Sequence, residues 1–505
     1  MTLPGGSGGT PRRAVVIGGG IGGMSCASLL AQEGLDTLLL ESSAAIGGTA
    51  RGFSTRGVHV ELGCNVLGPA GEGKLLFRFL DYFADSSEIS VSNLDPAACV
   101  KVHGDGEVLD LPAGVEAYVE AVAAAHPADR EEILGFGALV RRTMDALRPY
   151  NMDRYFDLSA SAERDILLSR ESLADRLQGI SSSRAAKLLS LFWSFTGTPP
   201  PLSPLSLYIP VMGSFLDGPC FMSGKSLVKA LEKKIRTAGG KIRTGSEVTK
   251  IRIKDSAATG VEIGGEELRE ADIVVSTLHP RRTVRLLEDR SRVKRIIGRL
   301  EDAGETHGAF VAWFTAAGDG RGAGPPAQWH HLAGGGAGVG PSTPSDRIED
   351  FEISVFTPNP EPPGPRILRA LTLLPAGAFD QWKGTKTRKR GEQYERTKLA
   401  LAEKIRHRVE SALPEFKGRL ELLASVTPLT LADELGHGGG AFGIMRSARR
   451  RALATCTWTT PLKGLFLGGQ SVLFPGIAGT METSLFIGMS LFGERHMVGR
   501  LEGTS

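Results

Sequence analysis

The 505-residue sequence lacks a CxxC pair, a Cys/His set at metal-ligand spacing, a surplus of either charge and any internal repeat. Its five cysteines, Cys26, Cys64, Cys99, Cys220 and Cys456, are far apart and odd in number. That spacing excludes a redox-active disulfide, suggests a reducing, cytoplasmic location, and leaves Cys26 and Cys456 as small buried residues. Lys plus Arg number 59 against 56 Asp plus Glu, a net charge of +3, which is too balanced for nucleic acid to be the partner. The basic cluster at 383–390 therefore reads as a solvated loop leading into a helix. The absence of a repeat of about 20 to 50 residues excludes a solenoid. A long uncharged run at 188–216 holds five prolines and cannot be a spanning helix. Metal and Ser-His-Asp catalysis find no support, because His330 and His331 read as a loop pair with no third ligand.

The length suggests two or three lobes. An apolar strand at 14–18, a helix carrying Leu29 and Leu30, and a strand at 37–41 form one strand-helix-strand unit. From 75 to 184 the pattern turns mostly helical. Leu227, Leu231 and Ile235 then mark an amphipathic helix that stops at Gly239-Gly240, feeding strands at 241–253 and 271–277. A second excursion, 280–450, contains a Gly/Pro-rich loop at 318–344 and a long helix at 392–413. The last segment returns to a buried strand, GLFLGG, and a final helix.

What is abundant is glycine, with 65 residues. In VVIGGGIGGMSCASLL, Gly18, Gly20 and Gly23 form GxGxxG directly after a strand, with Ile21 and Gly22 opening the helix. Gly18 permits a tight turn, Gly20 lets the backbone approach a pyrophosphate, and Gly23 lets helix and strand pack closely. Glu41 ends the next strand, where a carboxylate accepts from an adenosine ribose and disfavours a 2'-phosphate. These features outweigh the imitation of a twin-arginine signal by Arg12-Arg13 and the uncharged run after it. Six residues beyond Glu41, GGTARGF offers Gly47, Gly48, Thr49 and Arg51 as further amides and a cation for the diphosphate. GPCFMSGKS at 218–226 only imitates a phosphate-binding P-loop, since Pro219 takes the place of its first glycine.

This pattern resembles the extended FAD fingerprint of the glutathione-reductase and amine-oxidase superfamily. The order of GVHVELGCNVLGPAGEGKLLFRFLDYF, FMSGKSLVKAL, VVSTLHP, RGEQYERTKLALAEKI, SVTPLTLADELGHGGGAFGI and GLFLGGQSVLFPGIAGTMETS is similar to the phytoene desaturase, carotenoid isomerase and retinol saturase family over almost the whole chain. The resemblance implies an α/β fold: a Rossmann-like FAD-binding domain from 10–85, 220–283 and 451–500, with an inserted α+β substrate domain from 86–219 and 284–450. It implies that Val248 meets adenine, that Gly469 and Gln470 face the ribityl chain, and that a helix starting near Gly479-Thr480 points its amides at the flavin. Gln470 stands where phytoene desaturases commonly carry an acid, as in retinol saturases. His279, Ser223 and Phe442 depart from the family's usual acid, glycine and tyrosine.

The implied reaction is hydride exchange between FAD and a carbon of a long, apolar, unsaturated substrate, with His437 and Glu482 as acid-base candidates. The proline-rich stretch at 191–216 is a candidate tunnel wall or a plain buried loop. Peripheral contact with a membrane would help extract a lipid. Two other readings share the fold. One is an amine oxidase, disfavoured because only Trp458 supplies an aromatic anchor near the end of the chain. The other is a prenyl-lipid escort protein without cofactor, disfavoured because both glycine cradles are intact.

Overall fold

The computed structural model describes residues 12–63, 66–71, 74–104, 106–146, 170–316, 328–333, 353–357, 366–385, 387, 389–436, 438–449 and 457–503. The elements used below are strands β1 (Arg13–Ile17), β2 (Asp36–Leu40), β3 (Val100–Gly104), β4 (Glu107–Leu111), β5 (Lys241–Arg243), β6 (Ile273–Ser276), β7 (Gly308–Ala316), β8 (Gln328–Leu332), β9 (Ile353–Thr357), β10 (Arg366–Leu374), β11 (Leu420–Val426) and β12 (Leu465–Leu467). The helices are α1 (Ile21–Gln32), α2 (Leu205–Leu216), α3 (Gly224–Thr237), α4 (Glu392–Ala412) and α5 (Gly476–Phe492).

Short, almost wholly apolar strands such as AVVI are buried on both faces and so suit a parallel sheet covered by helices. They build a five-stranded sheet in the order β5-β2-β1-β6-β12, every pair parallel. The chain winds outward from β1 in one direction through β2 and β5, then returns to the other side of β1 for β6 and β12. Strand order therefore reverses at β1, and the crevice beyond its carboxyl end is where such sheets bind ligands. All five strands come from 10–85, 220–283 and 451–500.

The second sheet has seven strands, β11-β7-β10-β9-β8-β3-β4, antiparallel except for the β8–β3 pair. Strand alternation gives it two different faces. Phe310, Phe314, Leu368 and Ala370 pack under Leu401, Ile405 and Val409 of α4. The opposite face carries Trp313, Arg369, Phe356 and Trp329 in one row, as the register between neighbouring strands requires. A three-stranded sheet of Val66–Leu67, Val91–Asn93 and Cys220–Met222 stands between the two larger sheets in sequence.

Several expectations need correction. The mostly helical stretch 75–184 also contains the β3–β4 hairpin. The strand anticipated at 241–253 is two: β5 ends in the parallel sheet, Gly245 turns with φ +60°, and Val248–Lys254 enters an antiparallel sheet. The stretch 191–216 is no simple loop, since Leu205–Leu216 is helical with Pro210 inside. His330 and His331 lie on strand β8, both buried, with His330 Nδ1 3.1 Å from His103 Nε2. Arg390 of the basic cluster turns inward and pairs with Asp433. Among the described residues, no three metal-ligating side chains cluster and no helix is long and apolar enough to cross a membrane.

Because α4 holds one face of the large sheet through a few fully buried side chains, Ile405→Ala should lower unfolding stability by about 2–5 kcal/mol. A reduced urea midpoint would register the loss, and an unchanged midpoint would refute this account of the packing.

Candidate active site

The first turn is built by close approach. Gly18 has φ +101°, and a Cβ on Gly23 would lie 1.8 Å from the Gly18 carbonyl oxygen. Only glycine fits there, so α1 begins immediately after β1. Its N-terminus carries no side-chain cap and no acid in its first turn, with Gly20 as N-cap. A Cβ on Gly20 would meet no protein atom within 4 Å, so open space lies in front of the bare amides. Ile21 and Gly22, the first residues of the helix, are buried.

Glu41 follows β2 and reaches back across this turn. One of its oxygens accepts the Gly19 N–H at 2.7 Å; the other accepts the Ser43 N–H and hydroxyl, each at 2.7 Å. Burial pushes this carboxyl up, but the Ser43 and Gly19 hydrogen bonds outweigh it and hold the group below its ordinary value. Glu41 is thus an anion at neutral pH. Gly47 donates its N–H to the Gly19 carbonyl at 2.6 Å, and a Cβ on Gly48 would lie 3.1 Å from the Gly20 Cα. Arg51 donates to the Ala45 carbonyl and to Ser43 Oγ, while the Thr49 carbonyl accepts the Gly63 N–H at 3.1 Å. Sequence reasoning passed over Gly19 and Ser43, although the Ser-Ser pair directly after the acid was a signal.

The end of the chain meets this turn. A Cβ on Gly22 would stand 3.0 Å from the Gly469 Cα and 3.5 Å from the Thr480 Cβ. Ser484 Oγ donates to the Gly22 carbonyl at 3.3 Å and accepts from Cys26 Sγ at 3.1 Å. Gln470 donates from Nε2 to the Ala441 carbonyl at 3.4 Å, and its own carbonyl accepts from Arg446. The helix begins three residues earlier than expected: Pro475 is an extended N-cap and α5 starts at Gly476. Gly479 and Thr480, its fourth and fifth residues, are therefore buried where the first turn passes into the second, with Thr480 Oγ1 donating to the Ile477 carbonyl at 2.8 Å. Like α1, α5 has no side-chain cap and no acid in its first turn. The bare N-terminus of α1 thus packs against α5 about one turn in from that helix's own bare N-terminus, and both favour an anion nearby.

Val248 is buried at the start of its strand, paired with Ile263. His437 lies outside the described residues. Glu482, in the second turn of α5, is surrounded densely enough that burial pushes its carboxyl up to about 8. Trp458 stacks on Phe486, centroids 4.8 Å apart, and donates to Ser490 Oγ, so its ring is committed to α5.

A doubly wound sheet with a glycine turn at its switch point, an acid closing the second strand and a second helix N-terminus from the far end defines a dinucleotide-dependent protein. Residues 21–316, more than half of the chain, match the flavin containing amine oxidoreductase family, and the chain belongs to it. It is 24% identical over 515 residues to the all-trans-retinol 13,14-reductase of Macaca fascicularis, covering 93% of this chain and 84% of that protein. It is 26% identical over 280 residues to a 4,4'-diaponeurosporene oxygenase of Staphylococcus aureus, covering 53% and 56%. An oxidoreductase structure from Methanosarcina mazei superposes with a TM-score of 0.65 at 17% identity, covering 94% of this chain and 99% of that one. The protein is accordingly a flavin-dependent oxidoreductase with FAD as its cofactor.

The site's donor set fits FAD: uncapped amides for the phosphates and a fixed carboxylate for the ribose, around glycines whose side-chain space is either closed by backbone or open to a ligand. Gly22→Val would force the two ends apart, so the purified variant should lack absorbance near 450 nm while keeping its circular dichroism. Full flavin content would contradict the proposed contact. For Glu482, the unfolded carboxyl titrates near its ordinary 4.5 and the folded one near 8. Its contribution to stability is therefore complete below pH 4.5 and is lost as pH rises toward 8. Glu482→Gln should flatten the fall of melting temperature between pH 5.5 and 8, and an unaltered slope would rule out this titration.

Proposed function

We propose that the protein exchanges hydride with carbon-carbon bonds of a long, apolar, unsaturated molecule: a polyene, an isoprenoid or a related lipid. When bound, FAD supplies the hydride acceptor or donor. The observation that carries the reading is the cofactor cradle, two uncapped helix N-termini and a fixed carboxylate, in a chain akin to a retinol reductase and a diaponeurosporene oxygenase. Trp329 stacks on Phe356 at 5.9 Å and takes edge contacts from Phe195 at 5.2 Å and Phe215 at 5.4 Å. Trp329, Phe356 and Phe215 are buried, so this cluster is packed core that backs the row of Trp313 and Arg369. Kinship with a retinol reductase and a diaponeurosporene oxygenase supports the same substrate class.

In this reading Gly18, Gly20, Ile21, Gly22 and Gly23 hold the diphosphate with Gly47, Gly48, Thr49 and Arg51, and Glu41 holds the ribose. Val248 lies against adenine. Gly469 and Gln470 position the ribityl end, and the N-terminal end of α5, with Gly479 and Thr480, faces the flavin ring. Glu482, protonated at neutral pH, is the acid-base group that holds the proton delivered to or taken from the substrate. Contact with a membrane surface would be peripheral and would serve to extract the substrate. The commitment of Trp458 to α5 leaves the amine oxidase reading without an aromatic anchor from this segment.

Incubation with all-trans-retinol, all-trans-retinoic acid, unsaturated fatty acids and acyclic carotenoid polyenes, under oxidising and reducing conditions, should change the mass of at least one of them by two hydrogens, or its retention at constant mass. No product under either condition, from protein that carries flavin, would defeat the reading. Protein that stays colourless after reconstitution would favour the escort alternative. Glu482→Gln should lower turnover by about 10²–10⁴-fold and remove a limb near pH 8 from the rate profile.

A further inference from the structure

The aromatic row across the seven-stranded sheet contains one charge. On β10, Arg369 lies between Trp313 of β7 on one side and Phe356 of β9 on the other, so its side chain shares the cradle-facing surface with both. It is 7% exposed. A guanidinium is protonated at every accessible pH, and burying one without compensation is costly. Arg390, equally buried, meets that cost with Asp433. Arg369 forms no ion pair with any described residue. Its Nη1 donates to the Gly63 carbonyl, its guanidinium carbon stands 5.1 Å from the centre of the Phe356 ring, and its Nε is buried with no hydrogen-bond partner.

The position of this group matters as much as its incomplete satisfaction. Gly63, which it grips, donates in turn to the Thr49 carbonyl in the turn that follows Gly47-Gly48. Trp313 Nε1 donates to the Glu61 carbonyl at 3.2 Å, so segment 61–63 lies along the row. Arg369 thus sits where the cradle, the large sheet and the buried aromatic cluster of Phe356 and Trp329 converge. A carbonyl and a ring face satisfy part of a guanidinium; neither neutralises it.

We propose that Arg369 receives the carboxylate of the substrate, so that the molecule this protein takes is a long apolar chain ending in a carboxylic acid rather than in an alcohol or a plain hydrocarbon. The inference rests on the apolar-substrate reading above and adds the headgroup. A carboxylate fits the planar fork, its hydrogen bonds are charge-assisted, and the apolar surround strengthens the pairing.

The test measures binding to flavin-loaded protein without turnover, by perturbation of the flavin spectrum and quenching of tryptophan fluorescence at pH 8. The matched probes are all-trans-retinoic acid against all-trans-retinol and oleic acid against oleyl alcohol. The wild type should bind each acid at least about 10-fold more tightly than its alcohol. Arg369→Met should weaken the acids by about 30-fold or more and change the alcohols by less than about threefold, with Arg369→Lys intermediate. Equal binding of acid and alcohol by the wild type overturns the inference while leaving the apolar-substrate reading standing, and this arm does not depend on whether a variant folds. Equal weakening of both by Arg369→Met reassigns the residue to structure. Loss of flavin, or a shifted flavin potential with the acid preference kept, reassigns it to the cofactor. Failure of all four probes to bind wild type removes the apolar-substrate reading and the inference together.

Discussion

The structure depends on one contact in which two backbones touch because neither has a side chain. At Gly22 and Gly469 the second residue of the first helix meets the turn after the last strand, and any Cβ at Gly22 would close the gap to 3.0 Å. Around it Ser484 bridges Cys26 and the Gly22 carbonyl, and Gly468 donates to the Ser276 carbonyl at 2.8 Å. More than four hundred residues separate the partners, so the closure entropy of a very long loop is offset only when the intervening chain is itself folded. That requirement explains why the parallel sheet is assembled from three separate stretches.

Electrostatics follow from the same contact. Two neighbouring helix N-termini, each without a capping side chain or an acid, leave the amides of both first turns without side-chain partners. In an apo protein that arrangement is a cost; with a diphosphate and an electron-rich ring it becomes binding energy. Glu41 supplies the complementary negative charge, and its three short hydrogen bonds keep it ionised and fixed before any ligand arrives. Preorganisation of this kind reduces the ordering that binding must otherwise impose.

Legibility in the sequence tracked how local the physics was. The glycine turn, Glu41 and the strand-helix-strand unit are specified within thirty residues, so their spacing revealed them. The start of α5 was missed by three residues because Pro475 and Gly476, with φ +81°, already supply an N-cap, whereas Gly479 looked like one. Leu205–Leu216 was hidden by Pro210, although a proline removes only one backbone donor and the helix is otherwise buried. His330 and His331 gave no clue to a strand, because β8 is defined by its partners β3 and β9 rather than by its own composition. Arg369 was invisible for the same reason: in RILRALTLL the two arginines are three apart, and only the ladder with β7 and β9 tells which one turns inward.

That inward arginine bears on the choice between the chemistries this fold supports. An amine substrate is a cation in neutral water, and an enzyme for amines must offer it a carboxylate, a ring face or a route to deprotonation. Here the ring face of Phe356 is already occupied by a guanidinium, and that guanidinium would repel a second cation across a medium of low dielectric constant. Neutral polyenes feel no such repulsion, and anionic chains are drawn in. The charge buried beside the cradle therefore separates the amine reading from the lipid reading more sharply than the sparse aromatics of the carboxyl-terminal segment do, because a missing ring can be supplied from elsewhere in the chain while a fixed positive charge cannot be removed by titration.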